Sequence, residues 1–203
     1  DVFVSDGGNI KEQYKKVLDQ HRIPYEEGSH SEEIILNARE IIKSPGIPEK
    51  VEILKKIRNA GIPVVSEIEF AGRYSKAKMI GITGTNGKTT TTSLVGQIMQ
   101  EYHENVYIVG NIGNPYTQAA PLMDEDTVSV AEISSFQLET IEYFHPQVSA
   151  ILNITPDHLN RHHTMENYIA TKLAVASNQS VDDVIVLNYE DEVLRMAAES
   201  LKP

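Results

Sequence analysis

The segment Gly81-Ile82-Thr83-Gly84-Thr85-Asn86-Gly87-Lys88-Thr89-Thr90 follows the apolar pair Met79-Ile80 and opens a stretch of helical periodicity from Thr91 to Met99. A strand, a glycine-rich turn and a helix start together form a phosphate cradle. Glycines let backbone N–H groups converge on an anion, and the helix N-terminus adds partial positive charge. Lys88 has the reach for terminal phosphates, and the Thr89 hydroxyl suits Mg²⁺. Gly84, Thr85, Asn86, Gly87 and Thr90 complete the candidate nucleotide loop. The strict pattern wants its first glycine five residues before Gly87, where Ile82 stands; Gly81 and Gly84 flank it, so the loop is a variant. The competing reading is an ordinary glycine-rich turn with solvated side chains. The strand–turn–helix context weighs against it.

The rest of the chain alternates between strand and helix patterns. Val2-Phe3-Val4 reads as a strand, and residues 10–19 as a helix with Ile10, Tyr14, Val17 and Leu18 near one face. Glu40–Lys43 reads as a strand stopped by Ser44-Pro45-Gly46. Residues 48–60 read as a helix with Val51, Leu54 and Ile57 at a spacing of three, and Gly61–Val65 as a turn and strand. Residues 71–77 read as a linker. Beyond it the spacing predicts strands at Lys78–Thr83, Val106–Val109, Val128–Ile133, Val148–Ile154 and Val184–Leu187. Helices are predicted over 88–102, 165–177 and 191–200. Such alternation implies an α/β fold with a parallel sheet covered on both faces.

In open α/β sheets, ligands sit outside the carboxyl ends of the strands. The polar clusters lie at those ends: Thr83–Thr90, Gly110–Asn114, Glu132–Ser135 and Asn153–His158. Glu132 closes the apolar run Val128–Ala131 and suits a hard cation, with a solvent-exposed strand end as the alternative. His158 could bind metal, move a proton or hold an anion. His162 and His163 follow, but their spacing matches no zinc pattern and the chain has no cysteine, so they read as loop residues. On composition alone Lys172 reads as a solvated surface lysine. Gly110-Asn111-Ile112-Gly113 and Ser44-Pro45-Gly46 are turns by themselves.

Composition bounds the partners. The 203 residues suffice for one large or two small domains, and 40% apolar content permits a core. A net charge of −11 argues against general nucleic-acid or anionic-membrane binding, where Lys and Arg supply the affinity. Any attraction for an anionic substrate must be local. No apolar run approaches the roughly 20 residues of a membrane span, and no signal peptide is visible.

Taken in order, Thr83–Thr90, Gly110–Gly113, Glu132-Ile133-Ser134-Ser135-Phe136-Gln137-Leu138-Glu139 and Asn153–His162 resemble the Mur ligases of bacterial cell-wall synthesis. The Ser-Ser-Phe-Gln-Leu-Glu element points to the D-glutamate-adding branch. The resemblance implies a partial Rossmann-like N-terminal domain over 1–74, followed by a partial P-loop-type ATPase domain over 75–203. It implies an ATP-dependent amide ligase that joins D-glutamate to UDP-N-acetylmuramoyl-L-alanine through an acyl phosphate, in peptidoglycan synthesis. Lys88 would hold the β/γ-phosphates, Thr89 and Glu132 a first Mg²⁺, and His158 a second, served also by a carbamylated Lys172. Asn111, Ser134, Gln137 and His158 would meet the muramoyl-alanine part. Asp6, Gly7, Ser44, Pro45 and Gly46 would meet the uridine diphosphate. A cytoplasmic monomer acting on small molecules, with no nucleic-acid or membrane partner, is expected.

Against the family pattern, the chain begins at what looks like the second strand of the N-terminal domain and stops inside the central domain. The isolated 203 residues are therefore expected not to ligate. Two rival readings are another Mur-type or folylpolyglutamate-like ligase, and a nucleotide-binding module without turnover.

Overall fold

The computed structural model describes residues 1–199 and 201, in two compact units. The first comprises residues 1–41 and 48–64; the second comprises 42–47 and the chain from Val65 onward.

In the first unit the elements are β1 (Val4–Asp6), α1 (Glu12–Gln20), β2 (Tyr25–Glu27), α2 (Glu32–Ile35), the start of β3 (Ile41–Lys43), α3 (Glu52–Asn59) and the start of β4 (Val64–Ser66). β1 pairs with β2 in parallel, Val4 opposite Tyr25 and Asp6 opposite Glu27. The core is Ile35, Leu54, Ile57 and Val64. The spacing of three on α3 therefore marks a buried face, as expected. The face expected on the first helix differs. Ile10 is buried ahead of α1, but α1 buries none of its own residues, and Tyr14 and Val17 are 54% and 50% exposed. A ribbon of two three-residue strands offers too little apolar surface to cover that stripe. β1 starts at Val4, at the end of the expected Val2–Val4 strand, because pairing with β2 sets its bounds.

The second unit continues with α4 (Glu67–Gly72), β5 (Lys78–Thr83), α5 (Lys88–Gln100), β6 (Val106–Gly110), α6 (Tyr116–Ala119), β7 (Val128–Glu132), α7 (Ser135–Leu138), β8 (Val148–Ile151), α8 (Leu159–His162), α9 (Met165–Leu173), β9 (Val184–Leu187) and α10 (Glu192–Ala198). Residue 200, the expected end of the last helix, lies outside the described residues. The expected linker at 71–77 has its first two residues in α4. Ser66 caps that helix, its Oγ accepting from Glu69 N, and Ile68 and Ala71 are buried.

The five strands pair in the order β6-β7-β5-β8-β9, all in parallel. Side chains alternate between two cores, as a strand's period of two requires. Met79, Val109, Ala131 and Ile151 join Ile68, Tyr116, Phe144, Tyr168 and Leu194 on one face. Ile82, Val128 and Val130 meet Val95 and Met99 of α5 on the other. The sheet is thus covered on both sides, as all-parallel sheets are.

Candidate active site

Register places the polar strand ends side by side. Glu132 lies opposite Ile82 of β5 and Gly110 of β6, and Thr83 lies opposite Ile151 of β8. β5 is central, with β7 on one side and β8 on the other. The chain after β5 therefore serves both halves of the sheet, and the crevice beyond its end is where such folds hold ligands.

The loop after β5 turns into α5 at Gly87, whose φ of 82° is left-handed and favours glycine. The loop is tied to the segment after β8. Thr85 N donates to Asn153 O at 2.9 Å, Asn86 N donates to Asn153 Oδ1 at 2.8 Å, and Thr155 N donates to Thr85 Oγ1 at 3.1 Å. Gly110 has a φ of 95°, and a Cβ there would collide with the carbonyl oxygen of Glu132. This close approach lets Asn111 N donate to Glu132 O at 2.9 Å.

Glu132 is buried, contrary to a solvent-exposed strand end. Its Oε2 accepts from Thr89 Oγ1 at 2.6 Å, and its Oε1 from Asn111 Nδ2 at 2.8 Å. Three strand ends therefore meet at one carboxylate.

Lys88, Asn111, Ser134, His158 and Lys172 line a cavity of about 150 Å³, with Thr85 and Tyr168 among the other walls. Lys172 is 1% exposed and so is no surface lysine. Its Nζ donates to Gly84 O at 2.8 Å, and Lys88 Nζ donates to the same oxygen at 3.0 Å and to Thr85 O at 2.9 Å. Burial, with the Lys88 charge second, pulls the Lys172 ammonium down to about 7, against a smaller opposing pull from Asp157.

Tyr168 was not singled out by the sequence. It is fully buried four residues before Lys172 on α9. Its hydroxyl is 3.1 Å from Thr85 Oγ1, and Lys172 Nζ is 4.8 Å from its ring centroid. The helical spacing of four was the available signal. His162 also departs from expectation. It is a buried residue of α8, with Nε2 3.0 Å from Ser135 Oγ and its ring against Phe136 and Tyr168. Burial lowers its pKa. His163 is exposed.

Gln137 is not a wall of the cavity. Its Oε1 accepts from Ser134 N and Oγ, and its own N donates to Ser134 Oγ, closing a capping box at the start of α7. The Ser44-Pro45-Gly46 turn is held by the buried Lys43, whose Nζ donates to Ile47 O at 3.0 Å. Asp6 and Gly7 belong to the first unit, where Asp6 Oδ1 accepts from Gly8 N at 2.8 Å.

Among the described residues no group of three or more His, Cys, Asp or Glu side chains is arranged to hold a metal. Thr89 and Glu132 nevertheless form a pair of hard oxygen donors beside the loop. Such a pair fits Mg²⁺, which retains waters and shares phosphate oxygens rather than entering an all-protein cage.

A parallel α/β sheet with a glycine-rich loop opening a helix at its central strand defines a P-loop ATPase-type unit. Residues 82–203 match the Mur ligase middle domain, and residues 1–53 match the MurD N-terminal domain. The chain belongs to the Mur ligase family. It is 54% identical over 168 residues to the UDP-N-acetylmuramoylalanine–D-glutamate ligase of Lachnoclostridium phytofermentans, covering 83% of this chain and 37% of that protein. It is 53% identical over 186 residues to the ligase of the same name from Lachnospira eligens, covering 87% of this chain and 41% of that protein. The chain thus spans about two fifths of these relatives' length. A solved structure of UDP-N-acetylmuramate:L-alanyl-gamma-D-glutamyl-meso-diaminopimelate ligase from Neisseria meningitides shares the fold. Its TM-score is 0.63 at 13% identity, over 98% of this chain and 67% of that one.

Proposed function

We propose that a full-length protein carrying this chain is an ATP-dependent amide ligase that adds D-glutamate to UDP-N-acetylmuramoyl-L-alanine in peptidoglycan synthesis. The observation that carries this reading is the junction of Thr89, Glu132 and Asn111 beside a cavity lined by Lys88, Lys172 and His158. A ligase of this kind must bring a carboxylate and a triphosphate together and offset their repulsion. With a net charge of −11, only local cations can do so.

Residues 84–90 cradle the triphosphate, with Lys88 on its terminal phosphates as charge shifts during transfer. Thr89 and Glu132 would hold one Mg²⁺, and His158 and Lys172 would serve a second; the ions would supply neutralisation of phosphate charge. In its neutral form the Lys172 amine attacks the carbon of CO₂: an N–C bond forms, one C=O π pair moves onto oxygen, and the nitrogen gives up a proton to solvent, leaving a carbamate whose anionic oxygens replace the ammonium charge. The burial of Lys172, which disfavours its charged form, supports that step. Asn111, Ser134 and His158 contact the muramoyl-alanine part, and Gln137 acts beside them by fixing Ser134. Asp6, Gly7, Ser44, Pro45 and Gly46 contact the uridine diphosphate.

A functional boundary near residues 74/75 separates the two roles, in keeping with family matches that end at 53 and begin at 82. The protein is read as a cytoplasmic monomer. Among the described residues no helix is long and apolar enough to cross a membrane.

The test is ATP-dependent phosphate release by the full-length protein with UDP-N-acetylmuramoyl-L-alanine and a panel of amino acids. Release with D-glutamate and not with L-alanine, L-glutamate or diaminopimelate is expected. Release driven by another member of the panel overturns the assignment.

A further inference from the structure

We propose that Arg161, gripped by Glu139, is a positioning residue that locks the Phe136–His158 wall of the cavity to the Ser44-Pro45-Gly46 turn, and so sets affinity for the UDP-linked substrate. The proposal rests on the reading of that cavity given above.

Arg161 spends its whole side chain on this one junction. Nε donates to Glu139 Oε1 at 2.9 Å and Nη2 donates to Glu139 Oε2 at 2.5 Å, a bidentate pair. Nη1 donates to the carbonyl oxygen of Pro45 at 2.7 Å. The face of the guanidinium lies over Phe136, its carbon 4.1 Å from the ring centroid. Phe136 in turn meets the His158 ring at 4.9 Å between centroids. Both partners of the ion pair are largely shielded from water, with side-chain exposures of 12% and 16%.

The local backbone explains why such a clamp is needed. α7 and α8 have four residues each, too few to hold a position by helix formation alone. His158 precedes α8 with a left-handed φ of 51°, unusual for a residue other than glycine. The place of its imidazole is therefore set by what fixes α8, and Arg161 is the residue of α8 that reaches both α7 and the Pro45 turn. Only a planar fork makes a bidentate carboxylate pair, a third bond to a carbonyl and a ring contact at once; a lysine ammonium cannot. Lys43 holds the same turn from its other end through Ile47 O. Ser44 and Gly46 are left exposed on either side of the anchored Pro45.

The experiment uses a full-length ligase carrying this sequence and the variants R161K and E139Q. For R161K the KM for UDP-N-acetylmuramoyl-L-alanine is expected to rise about tenfold or more, the scale of a small misplacement of binding groups. The KM for ATP is expected to stay within about threefold, since the nucleotide loop is fixed by other bonds. E139Q keeps the shape of the carboxylate and is expected to move the same KM in the same direction, and the double variant should fall short of the product of the two. Calorimetric binding of the UDP-linked substrate, without ATP or amino acid, should show the same loss. A folded R161K with unchanged substrate KM and affinity overturns the proposal. So does a variant pair that fails to fold, because the junction is then structural only. If the unsubstituted protein binds the UDP-linked substrate but releases no phosphate with D-glutamate, the proposed reaction fails, and the calorimetric arm still decides the role of Arg161.

Discussion

Both units are built by strand–helix alternation, yet they end in different places. In the first unit, β1 and β2 form a ribbon of two three-residue strands, and Ile35, Leu54, Ile57 and Val64 form a small core. In the second, five strands run in parallel with their ends level and both faces covered. Two carboxylates show what this changes. Glu26 accepts from Ser5 and Ser31, which are neighbours on its own ribbon and the turn after it, and those bonds hold its carboxyl below the usual range. Glu132 accepts from Thr89 and Asn111, which follow two other strands. A narrow ribbon closes its polar groups on themselves. A wide sheet in register delivers polar groups from distant segments to one point, and that is what a site requires.

The largest effect should come from removing a cation that lines the cavity at those strand ends. Lys88→Ala in a full-length ligase should cut turnover by roughly 10²-fold or more, by analogy with losing one transition-state donor. Steady-state phosphate release measures it. Near-normal release would mean that level strand ends do not make this cavity catalytic, and the contrast between the units would lose its functional meaning.

How much of this was legible in sequence follows the same division. β5 and β9 begin and end where their apolar patterns do, at Lys78–Thr83 and Val184–Leu187. The gathering of Lys88, Asn111 and His158 was legible because parallel strands put every carboxyl end on one edge. Elements set by contacts rather than by pattern were not. α7 and α8 are too short to show a period of 3.6, and one is fixed by a capping box. β2 has two carboxylates in three residues and becomes a strand by pairing with β1. Lys172 looked solvated because composition carries no information on which helix face is buried. Its spacing from Tyr168 did, once α9 was known to pack on the core. Gln137 is a motif residue whose cap the sequence does not announce: its side-chain oxygen accepts from Ser134 at the start of α7.

A smaller effect should appear in stability rather than turnover. Burial holds Lys172 at about 7 in the folded chain, against the ordinary lysine value of 10.5. Below the folded value both states carry the proton, and the full cost of the buried charge is present. Between the two values the unfolded chain binds more protons than the folded one, so stability from this group rises with pH and levels off above the unfolded value. Lys172→Met removes the titration. In CO₂-free buffer, the stability of the unsubstituted chain relative to Lys172→Met should climb between pH 7 and 9 by up to about 1.4 kcal/mol per unit. Urea unfolding at three pH values is sufficient. Parallel curves would show that Lys172 ionises freely, and that the second unit does not bury charge as its geometry indicates.

The smallest effect belongs to the first unit. Tyr14 sits on the apolar stripe of α1, where the sequence predicts a buried face, yet it is more than half exposed and α1 buries nothing. Tyr14→Ser should change the unfolding free energy of this chain by no more than about 0.5 kcal/mol, the usual range for a surface position. A loss of about 2 kcal/mol or more, the cost of truncating a core side chain, would place the stripe against apolar surface in solution. The first unit would then own a second packed face, and its narrow ribbon would no longer explain why it lacks one.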